Sequence, residues 1–172
     1  LLLRGTWSYD ASLDCYAEAN HTETEYDELD SVTKVIAPDN SETKIAYRGR
    51  QQDVYDANNE KTTYTYDALG RLEAVKDANG ATTRYEYNLR NQLTKVTDAQ
   101  GNETGIDYDL AGRKIEMRDP DMGRWTYAYY PNGMLQRQTD GNGQRLCFYY
   151  DDVSRLTHKR HTGTGEADCP AS

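Results

Sequence analysis

Aliphatic side chains are scarce in this sequence. Leu, Ile, Val and Phe contribute 13, 4, 6 and 1 residues, which is 24 of 172. With a net charge of -9, this composition is typical of chains that are too polar to bury a core. Against disorder stand 15 tyrosines, which recur at regular intervals. Because a tyrosine ring has a large apolar area and a hydroxyl that needs a partner, we expect a folded chain with a thin core built largely from Tyr.

Basic charge and long apolar runs are also lacking. The 29 Asp and Glu outnumber the 20 Lys and Arg, which argues against nucleic acid as a partner. The longest apolar feature, Leu1–Leu3, is far shorter than the roughly 20 residues that cross a membrane as a helix. Neither an initiator methionine nor a signal peptide is recognisable. We therefore expect a processed chain or part of a longer one.

Cysteine is limited to Cys15, Cys147 and Cys169, which form no Cys-x-x-Cys pair and suggest no zinc site. One disulfide with one thiol left over would fit the sequence, and three unpaired thiols would fit it equally well. The cysteines therefore do not indicate the redox compartment. We predict no metal and no cofactor.

A repeat begins at Tyr26. The second aromatic residue of each repeated pair recurs at intervals of 21, 19, 21, 21, 21 and 21 residues, at Tyr26, Tyr47, Tyr66, Tyr87, Tyr108, Tyr129 and Tyr150. Such a period dictates the fold and takes precedence over local motifs. We therefore divide the chain into a non-repeating segment 1–23, a repeat domain 24–161 and a tail 162–172.

The single 19-residue interval follows Tyr47. Alignment with the next unit requires the absence of two residues, which correspond to Ala68 and Leu69. Turns tolerate deletions better than strands do, so we expect both missing residues to come from a turn.

Each unit has two halves that read as strands. In the first, Thr62, Tyr64 and Tyr66 alternate with polar residues, which places all three on one face of a strand. Asp67–Gly70 follows as a turn, because Asp bonds the backbone ahead of it and Gly tolerates positive φ. In the second half, Leu72 and Val75 lie three residues apart, which indicates either a β-bulge or two partly covered faces.

A second turn, Asp77–Gly80, closes the unit and leaves no room for crossover helices. The chain is therefore predicted to be all-β, an antiparallel hairpin-repeat sheet of about 12–14 strands. The positions that carry the repeat signature are Tyr64, Tyr66, Asp67, Gly70, Arg71, Leu72, Asp77, Gly80, Tyr85, Tyr87, Leu93, Tyr108, Asp109, Gly112, Arg113, Tyr127, Tyr129, Gly133, Leu135, Tyr150, Asp151, Arg155 and Leu156.

The run Tyr66-Asp67-Ala68-Leu69-Gly70-Arg71-Leu72 resembles the YD repeat, also called the Rhs repeat. Similar runs start at Tyr108 and Tyr150, and the resemblance covers residues 24–161. It implies a curled sheet that is a segment of a hollow shell. In bacterial Rhs and insecticidal toxin-complex proteins such a shell encloses a C-terminal toxin, and in teneurins it belongs to an adhesion ectodomain. Most members are secreted or displayed at cell surfaces, and carbohydrate binding has been attributed to the repeats.

The chain departs from the bacterial members at their self-cleaving segment, which has paired Asp-Pro-x-Gly motifs. Its one Asp-Pro, at Asp119 and Pro120, is followed by Asp-Met-Gly and occupies an ordinary turn position. No second copy follows, and the residues after Gly163 are too few for a toxin domain. Neither self-cleavage nor toxicity is therefore transferred to this chain.

Three functional interpretations of the polar residues compete with structural ones. The recurring Asp77, Asp98, Asp119 and Asp140 could bind calcium, but they lack calcium-loop spacing and are expected to form turns. A pair of carboxylates could hydrolyse glycosides, yet a catalytic pair should interrupt the repeat. His158 and His161 could bind a metal, but a solvated segment is the simpler interpretation. We predict no catalytic residues.

The tyrosine rows leave two functions open. If the rings form the sheet's own packing, the chain is a non-catalytic structural shell segment of a larger secreted YD-repeat protein, which we favour. If they are exposed, the alternative is an extracellular or cell-surface module that binds glycans or proteins. The expected partners are flanking YD-repeat shell or a second copy joined through the sheet edges, an encapsulated toxin domain, and surface glycans.

Overall fold

The computed structural model describes residues 21–163 and residue 169, which form fourteen strands and no helix. The strands are β1 (Glu23–Tyr26), β2 (Val32–Ile36), β3 (Glu42–Arg48), β4 (Gln51–Tyr55), β5 (Lys61–Tyr66), β6 (Leu72–Lys76), β7 (Thr82–Tyr87), β8 (Leu93–Thr97), β9 (Glu103–Tyr108), β10 (Lys114–Asp119), β11 (Gly123–Tyr129), β12 (Leu135–Thr139), β13 (Arg145–Tyr150) and β14 (Leu156–Thr162). Most of the predicted segment 1–23 and of the tail 162–172 lies outside the described residues, so these boundaries stay predictions.

The chain divides into two compact units, residues 1–83 and 84–172. In the first, consecutive strands from β1 to β6 pair antiparallel. In the second, β7 to β14 do the same. Short turns join all these strands, and only antiparallel neighbours can be joined so closely. The predicted all-β, antiparallel hairpin-repeat fold is confirmed.

In the repeated hairpin, the second strand, here called the return strand, has a β-bulge directly after its first residue. Tyr66 lies opposite Leu72, but Thr65 lies opposite Ala74, so Glu73 is the extra residue. The bulge places Leu72 and Val75 on the same face as the tyrosines. Of the two explanations left open by the sequence, the bulge is therefore the right one. The same shift recurs at Tyr26, Tyr87, Tyr108, Tyr129 and Tyr150.

The extra residue of three bulges is a threonine whose hydroxyl bonds the opposite strand. Thr33, Thr94 and Thr157 donate from Oγ1 to the carbonyls of Glu25, Glu86 and Tyr149, at 3.3, 3.1 and 3.0 Å. A bulge leaves ladder groups unpaired, and these hydroxyls compensate for part of that loss.

The short unit has no bulge. In the β3–β4 hairpin, Tyr47 lies opposite Gln52 and Ala46 opposite Asp53, without a register shift. Gly49, with φ of 60°, begins the two-residue turn and supplies the positive φ that such a hairpin needs at its first central position. One of the two missing residues therefore comes from the turn and the other is the bulge residue. The prediction that both come from the turn is wrong.

Both kinds of turn in a unit share one geometry. The Asp67 N–H donates to the Arg71 carbonyl at 2.8 Å, and the Gly70 N–H donates to the Asp67 carbonyl at 3.1 Å. The fourth residue of the turn is left-handed, with φ of 77° at Gly70. Gly, Asn and Asp adopt this conformation at little cost, but Ser154 adopts it as well, with φ of 68°.

The turn after β10 departs from this geometry. Its fourth residue is Met122, whose side chain disfavours positive φ, and Gly123 is left-handed instead, with φ of 74°. The altered turn brings the Met122 carbonyl against the neighbouring turn, where a Cβ on Gly141 would lie only 2.5 Å from that oxygen. Glycine is therefore required at position 141 by the close backbone approach and not by a positive φ.

Few apolar side chains are buried, as expected from the composition. Among described residues they are Tyr130, Cys147, Phe148 and Cys169. Cys147 forms a disulfide with Cys169, so one disulfide is present and the alternative of three unpaired thiols is wrong. Cys15 lies outside the described residues. The described residues include no helix that is long and apolar enough to span a membrane.

We predict that the disulfide contributes about 3 kcal/mol to the free energy of unfolding, because it closes a loop across a separation of 22 residues. The double variant Cys147→Ala, Cys169→Ala should unfold at lower urea concentration. Reductant should lower the midpoint of the wild-type chain to that of the variant and leave the variant unchanged. Equal midpoints for both chains without reductant would contradict the prediction.

We predict that Ser154→Gly raises the free energy of unfolding by about 1 kcal/mol, because it relieves a left-handed conformation. The matched reverse change is Gly70→Ser, since a Cβ at Gly70 would meet no other atom within 4 Å. It should destabilise by a similar amount. Thermal unfolding of both variants tests the pair, and the prediction fails if Ser154→Gly leaves the melting temperature unchanged.

Candidate functional site

The aspartate of the repeat signature uses both carboxylate oxygens. In the first of these turns, Asp67 Oδ1 accepts the backbone N–H of Leu69 at 2.8 Å and of Arg71 at 3.0 Å. Its Oδ2 accepts the Arg71 guanidinium Nε at 2.7 Å. Asp109 with Arg113 and Asp151 with Arg155 repeat the side-chain contact at 2.7 Å. The Asp-x-x-Gly-Arg signature is therefore one hydrogen-bonded unit that closes a turn.

These bonds hold the carboxylates in their charged form. The backbone N–H groups of Arg71, Arg113 and Arg155 are the largest cause that lowers the pKa of Asp67, Asp109 and Asp151, respectively, below its ordinary value. A general acid near neutral pH needs a raised pKa instead. The signature aspartates are thus suited to fixing turns and poorly suited to donating protons.

The aspartates of the closing turns act in the same way. Asp77 and Asp140 each accept two backbone N–H groups of their own turn, as does Asp98. Asp119 accepts the backbone N–H of Asp121 and Met122, and the Thr104 hydroxyl at 2.7 Å. Within residues 21–163, with Cys169, no three His, Cys, Asp or Glu side chains are grouped as metal ligands.

Tyrosine hydroxyls join neighbouring hairpins. Tyr108 donates to the Leu93 carbonyl at 2.8 Å, and Tyr129 donates to the Lys114 carbonyl at 2.7 Å. Tyr47 reaches the Val32 carbonyl in the same way at 3.1 Å. In each case the acceptor is the first residue of the preceding return strand, just before the bulge. The second tyrosine of a unit therefore fastens its strand to the hairpin before it.

Cations lie over rings of the next unit. The Arg113 guanidinium carbon is 4.7 Å from the centre of the Tyr129 ring, and Lys114 Nζ is 4.4 Å from that of Tyr127. Such contacts stabilise stacked repeats and cover the ring faces. A sugar could not stack on the faces that these cations occupy.

Tyr130 is a buried residue that the repeat signature does not include. It occupies the position of the signature aspartate, is 8% exposed and donates to the Phe148 carbonyl at 3.1 Å. Its ring meets that of Tyr150 edge-on, with 6.2 Å between centroids. Burial raises the pKa of Tyr130 above its usual value. The signal was the Tyr-Tyr-Pro-Asn-Gly run, in which an aromatic residue replaces the turn aspartate.

The turn of the β7–β8 hairpin bonds to the next turn. Arg90 Nη1 donates to the Leu110 carbonyl at 2.6 Å, and Gln92 Nε2 donates to the Gly112 carbonyl at 2.9 Å. A shallow depression of about 320 Å³ lies between the two hairpins and includes Asn88, Thr94 and Asp107 in its lining. Because Arg90 and Gln92 are already engaged with backbone, the depression offers few free polar groups to a ligand.

Ion pairs cross the face opposite the tyrosines. Lys95 contacts Glu86 and Glu103, each at 3.0 Å. At the equivalent position, Lys34 contacts Glu42 at 2.6 Å and Glu25 at 3.8 Å. A third network reverses the signs and comprises Glu116, Arg118, Arg124 and Asp107. Each network thus connects three successive strands.

Glu116 is the most strongly perturbed of these groups. The Arg124 guanidinium, 2.6 Å from its carboxylate, is the largest cause, and Arg118 adds to it. Together they lower the pKa of Glu116 from 4.5 to about 2. The Glu116 carboxylate is therefore charged in the folded sheet at neutral pH.

The predicted signature residues do not converge on one point. Each repeated hairpin carries its own tyrosines and leucine on one face, and its own turn at the hairpin end. His158 stacks on Tyr149 with 4.2 Å between ring centroids, and His161 pairs in register with Leu146. The two histidines are therefore in strand positions and not in a common pocket.

We predict that Glu116 makes stability depend on acid pH. Its folded-state pKa is lowered, so its contribution is complete above pH 4.5 and is lost as the pH falls towards about 2. The melting temperature of wild type should therefore exceed that of Glu116→Gln at neutral pH, and the difference should shrink across this window. Glu73→Gln, at a bulge residue with no ion pair to another described residue, is the control. A difference that stays constant with pH would contradict the prediction.

The family described as RHS Repeat matches the chain at residues 47–82, 70–103 and 87–124. Together these matches span residues 47–124, or 78 of 172 residues. No curated protein matches the sequence significantly.

The fold is similar to those of toxin-complex structures. Crystal structures of TcdB2-TccC3-Cdc42 and of TcdB2-TccC3 match with a TM-score of 0.69 and 19% identity, over 84% of this chain and 9% of theirs. A Photorhabdus luminescens Tc holotoxin pore with a TccC3 mutation matches at the same score and identity, over 85% and 9%. The chain thus spans about 9% of the length of these proteins, and at this identity the likeness concerns the fold alone. The three RHS Repeat matches confirm the resemblance to the YD-repeat, or RHS-repeat, family that the recurring Tyr-Asp-x-x-Gly-Arg turns predicted.

Proposed function

We propose that the chain is a non-catalytic structural segment in the wall of a larger secreted YD-repeat protein, whose shell encloses a toxin domain. The observation that carries this proposal is that the repeated polar groups are engaged with neighbouring hairpins or turns. The Asp67 carboxylate binds its own turn, and the Tyr108 hydroxyl binds the strand before it. Groups engaged in this way hold a wall together and leave little chemistry for a substrate.

The size of the match supports a segment over a complete unit. The chain aligns over most of its own length but with only 9% of each toxin-complex structure. Strand-to-strand addition allows such a sheet to extend in both directions, since each repeat contacts only its neighbours. Flanking repeats and an enclosed toxin domain are the partners that this role requires.

The disulfide supports a secreted or cell-surface location. Disulfides persist in oxidising compartments and are rare in the cytosol of mesophiles. The bond between Cys147 and Cys169 is part of the most buried region of the described chain. The fold would therefore be expected to mature outside the reducing cytosol.

Glycan binding finds less support in the tyrosine rows. Tyr47 is 47% exposed, but its hydroxyl already donates to the Val32 carbonyl. Tyr127 and Tyr129 carry cations over their rings. Because hydroxyls and ring faces are used within the sheet, we do not propose a second function.

Protease digestion of the natural protein that contains this chain tests the shell. We expect a segment outside the repeats to survive in the native protein and to be digested once urea opens the sheet. The same segment expressed alone is the control and should be digested at once. Equal digestion of the segment in the native protein and alone would refute enclosure, and turnover on a polysaccharide panel would refute the non-catalytic role.

A further inference from the structure

The two kinds of turn lie at opposite ends of the hairpins in the compact unit of residues 84–172. Because consecutive strands from β7 to β14 pair antiparallel, the turns within hairpins share one end and the turns between hairpins share the other. The first set, here called the signature turns, comprises residues 88–91, 109–112, 130–133 and 151–154. The second set, the closing turns, comprises residues 98–101, 119–122 and 140–143.

The signature turns carry exposed apolar side chains that the turns themselves do not need. Leu89 is fully exposed, Leu110 is 90% exposed and Val153 is 67% exposed. In the unit of residues 1–83, Leu29 and Leu69 are exposed in the same kind of turn. A turn held by its first side chain and by backbone bonds has no requirement for leucine at its tip. A single exposed leucine is ordinary, but recurrence at one end of the hairpins creates an apolar row.

The closing turns have small residues at their tips instead. Ala99 and Gly141 follow the first residue of their turns, and Pro120 does so in the turn between them. All three are exposed. Met122, in the altered turn after β10, is the large apolar exception among the described closing turns. One end of the hairpins therefore projects large apolar side chains, and the other end has little side-chain volume.

Hydrogen bonds hold successive signature turns side by side. The Arg90 and Gln92 side chains donate to the Leu110 and Gly112 carbonyls at 2.6 and 2.9 Å. The depression of about 320 Å³ lies between these two hairpins. Hairpins that follow one another in a sheet are about 10 Å apart, twice the spacing of neighbouring strands. The apolar side chains of the row are therefore held at the period of the hairpins.

The period and the size of these side chains indicate what the row would contact. A partner that meets every member of the row must repeat at about 10 Å, and another run of the same hairpins does so. Its closing turns have room for leucine because their tips are small, and large residues interdigitate best with small ones. The surface of a folded toxin domain has no such period and would meet the row at one or two points.

The height of a hairpin also calls for a second run in an enclosing wall. The strands of this unit have five to seven residues, which span roughly 17–24 Å at about 3.4 Å per residue. A small domain is about 30 Å across, so a wall one hairpin tall is too low to enclose it. Runs that are stacked in the same direction meet with the signature turns of one against the closing turns of the next.

We propose that the apolar row of Leu89, Leu110 and Val153 packs against the closing turns of another run of YD-repeat hairpins in the same protein. Each member of the row lies there over a small turn residue of the kind found at Ala99 and Gly141. The inference rests on the proposed role of the chain as part of an enclosing wall, and it identifies the surface that joins one run of the wall to the next.

Site-specific photo-cross-linking in the natural protein that contains this chain tests the contact. The photoreactive residue p-benzoylphenylalanine is introduced in place of Leu110, and mass spectrometry identifies the cross-linked peptides. We expect links within one molecule to closing turns of repeats that are distant in sequence. The control is the same replacement at Ile115, which is exposed at the bulge of the same hairpin and should not reach those turns.

A second measurement uses smaller changes, because the photoreactive residue is bulkier than leucine. Leu110→Asn should raise the rate at which a broad-specificity protease cleaves the turn of residues 109–112 about tenfold, the effect of losing roughly 1.4 kcal/mol of contact. Leu110→Met keeps an apolar tip of similar volume and should leave the rate unchanged.

Several outcomes would overturn the proposal: no cross-link, links to neighbouring hairpins alone, links to the toxin domain, links to a second molecule, or equal cleavage of the Asn and Met variants. Protease protection of the enclosed domain is measured separately. Protection that persists without the cross-links would refute the contact and leave enclosure standing, whereas cross-links without protection would refute enclosure and leave the contact standing.

Discussion

The shared geometry of the signature turn, with its left-handed fourth residue, is the constraint on which the repeated hairpins depend. By accepting N–H groups two and four residues ahead, Asp67 fixes where the chain reverses. The left-handed residue that follows and the bulge at Glu73 are set by that reversal. The bulge in turn brings Leu72 and Val75 to the tyrosine face, so the geometry of turn and bulge determines which side chains can pack.

A sheet packed in this way has little core of its own and is stabilised repeat by repeat. Tyrosine hydroxyls, cations over rings and ion pairs connect each hairpin to the next. The energetics of such an array are approximately a sum over neighbours. The compact unit of residues 84–172 differs, because Tyr130, Phe148 and the disulfide form a buried cluster there.

The sequence predicted the features that depend on local periodicity. Alternating tyrosines identified the first strand of each hairpin, and Asp with Gly identified both turns, because these effects act over a few residues. The bulge at Glu73 remained open, since a spacing of three fits either a bulge or two covered faces. The pairing of Cys147 with Cys169 was open for another reason: it depends on where residues after β14 return, which no local pattern encodes. Tyr130 was missed because its burial comes from Phe148 and Tyr150, two strands away in the sheet.

Departures from the signature show which hydrogen bonds the repeat needs. Asn88 and Gln92 replace the aspartate and arginine of the turn, and the Asn88 carbonyl oxygen still accepts the backbone N–H of Arg90 and Gln92. Without the charged pair, Gln92 is free to reach the Gly112 carbonyl. A side-chain hydrogen bond that other hairpins make within one turn is here made to the next turn. A catalytic site could not tolerate such exchange, because its groups must keep fixed positions relative to a substrate. A wall requires only that each hairpin remain fastened to the next, and either set of bonds meets that requirement.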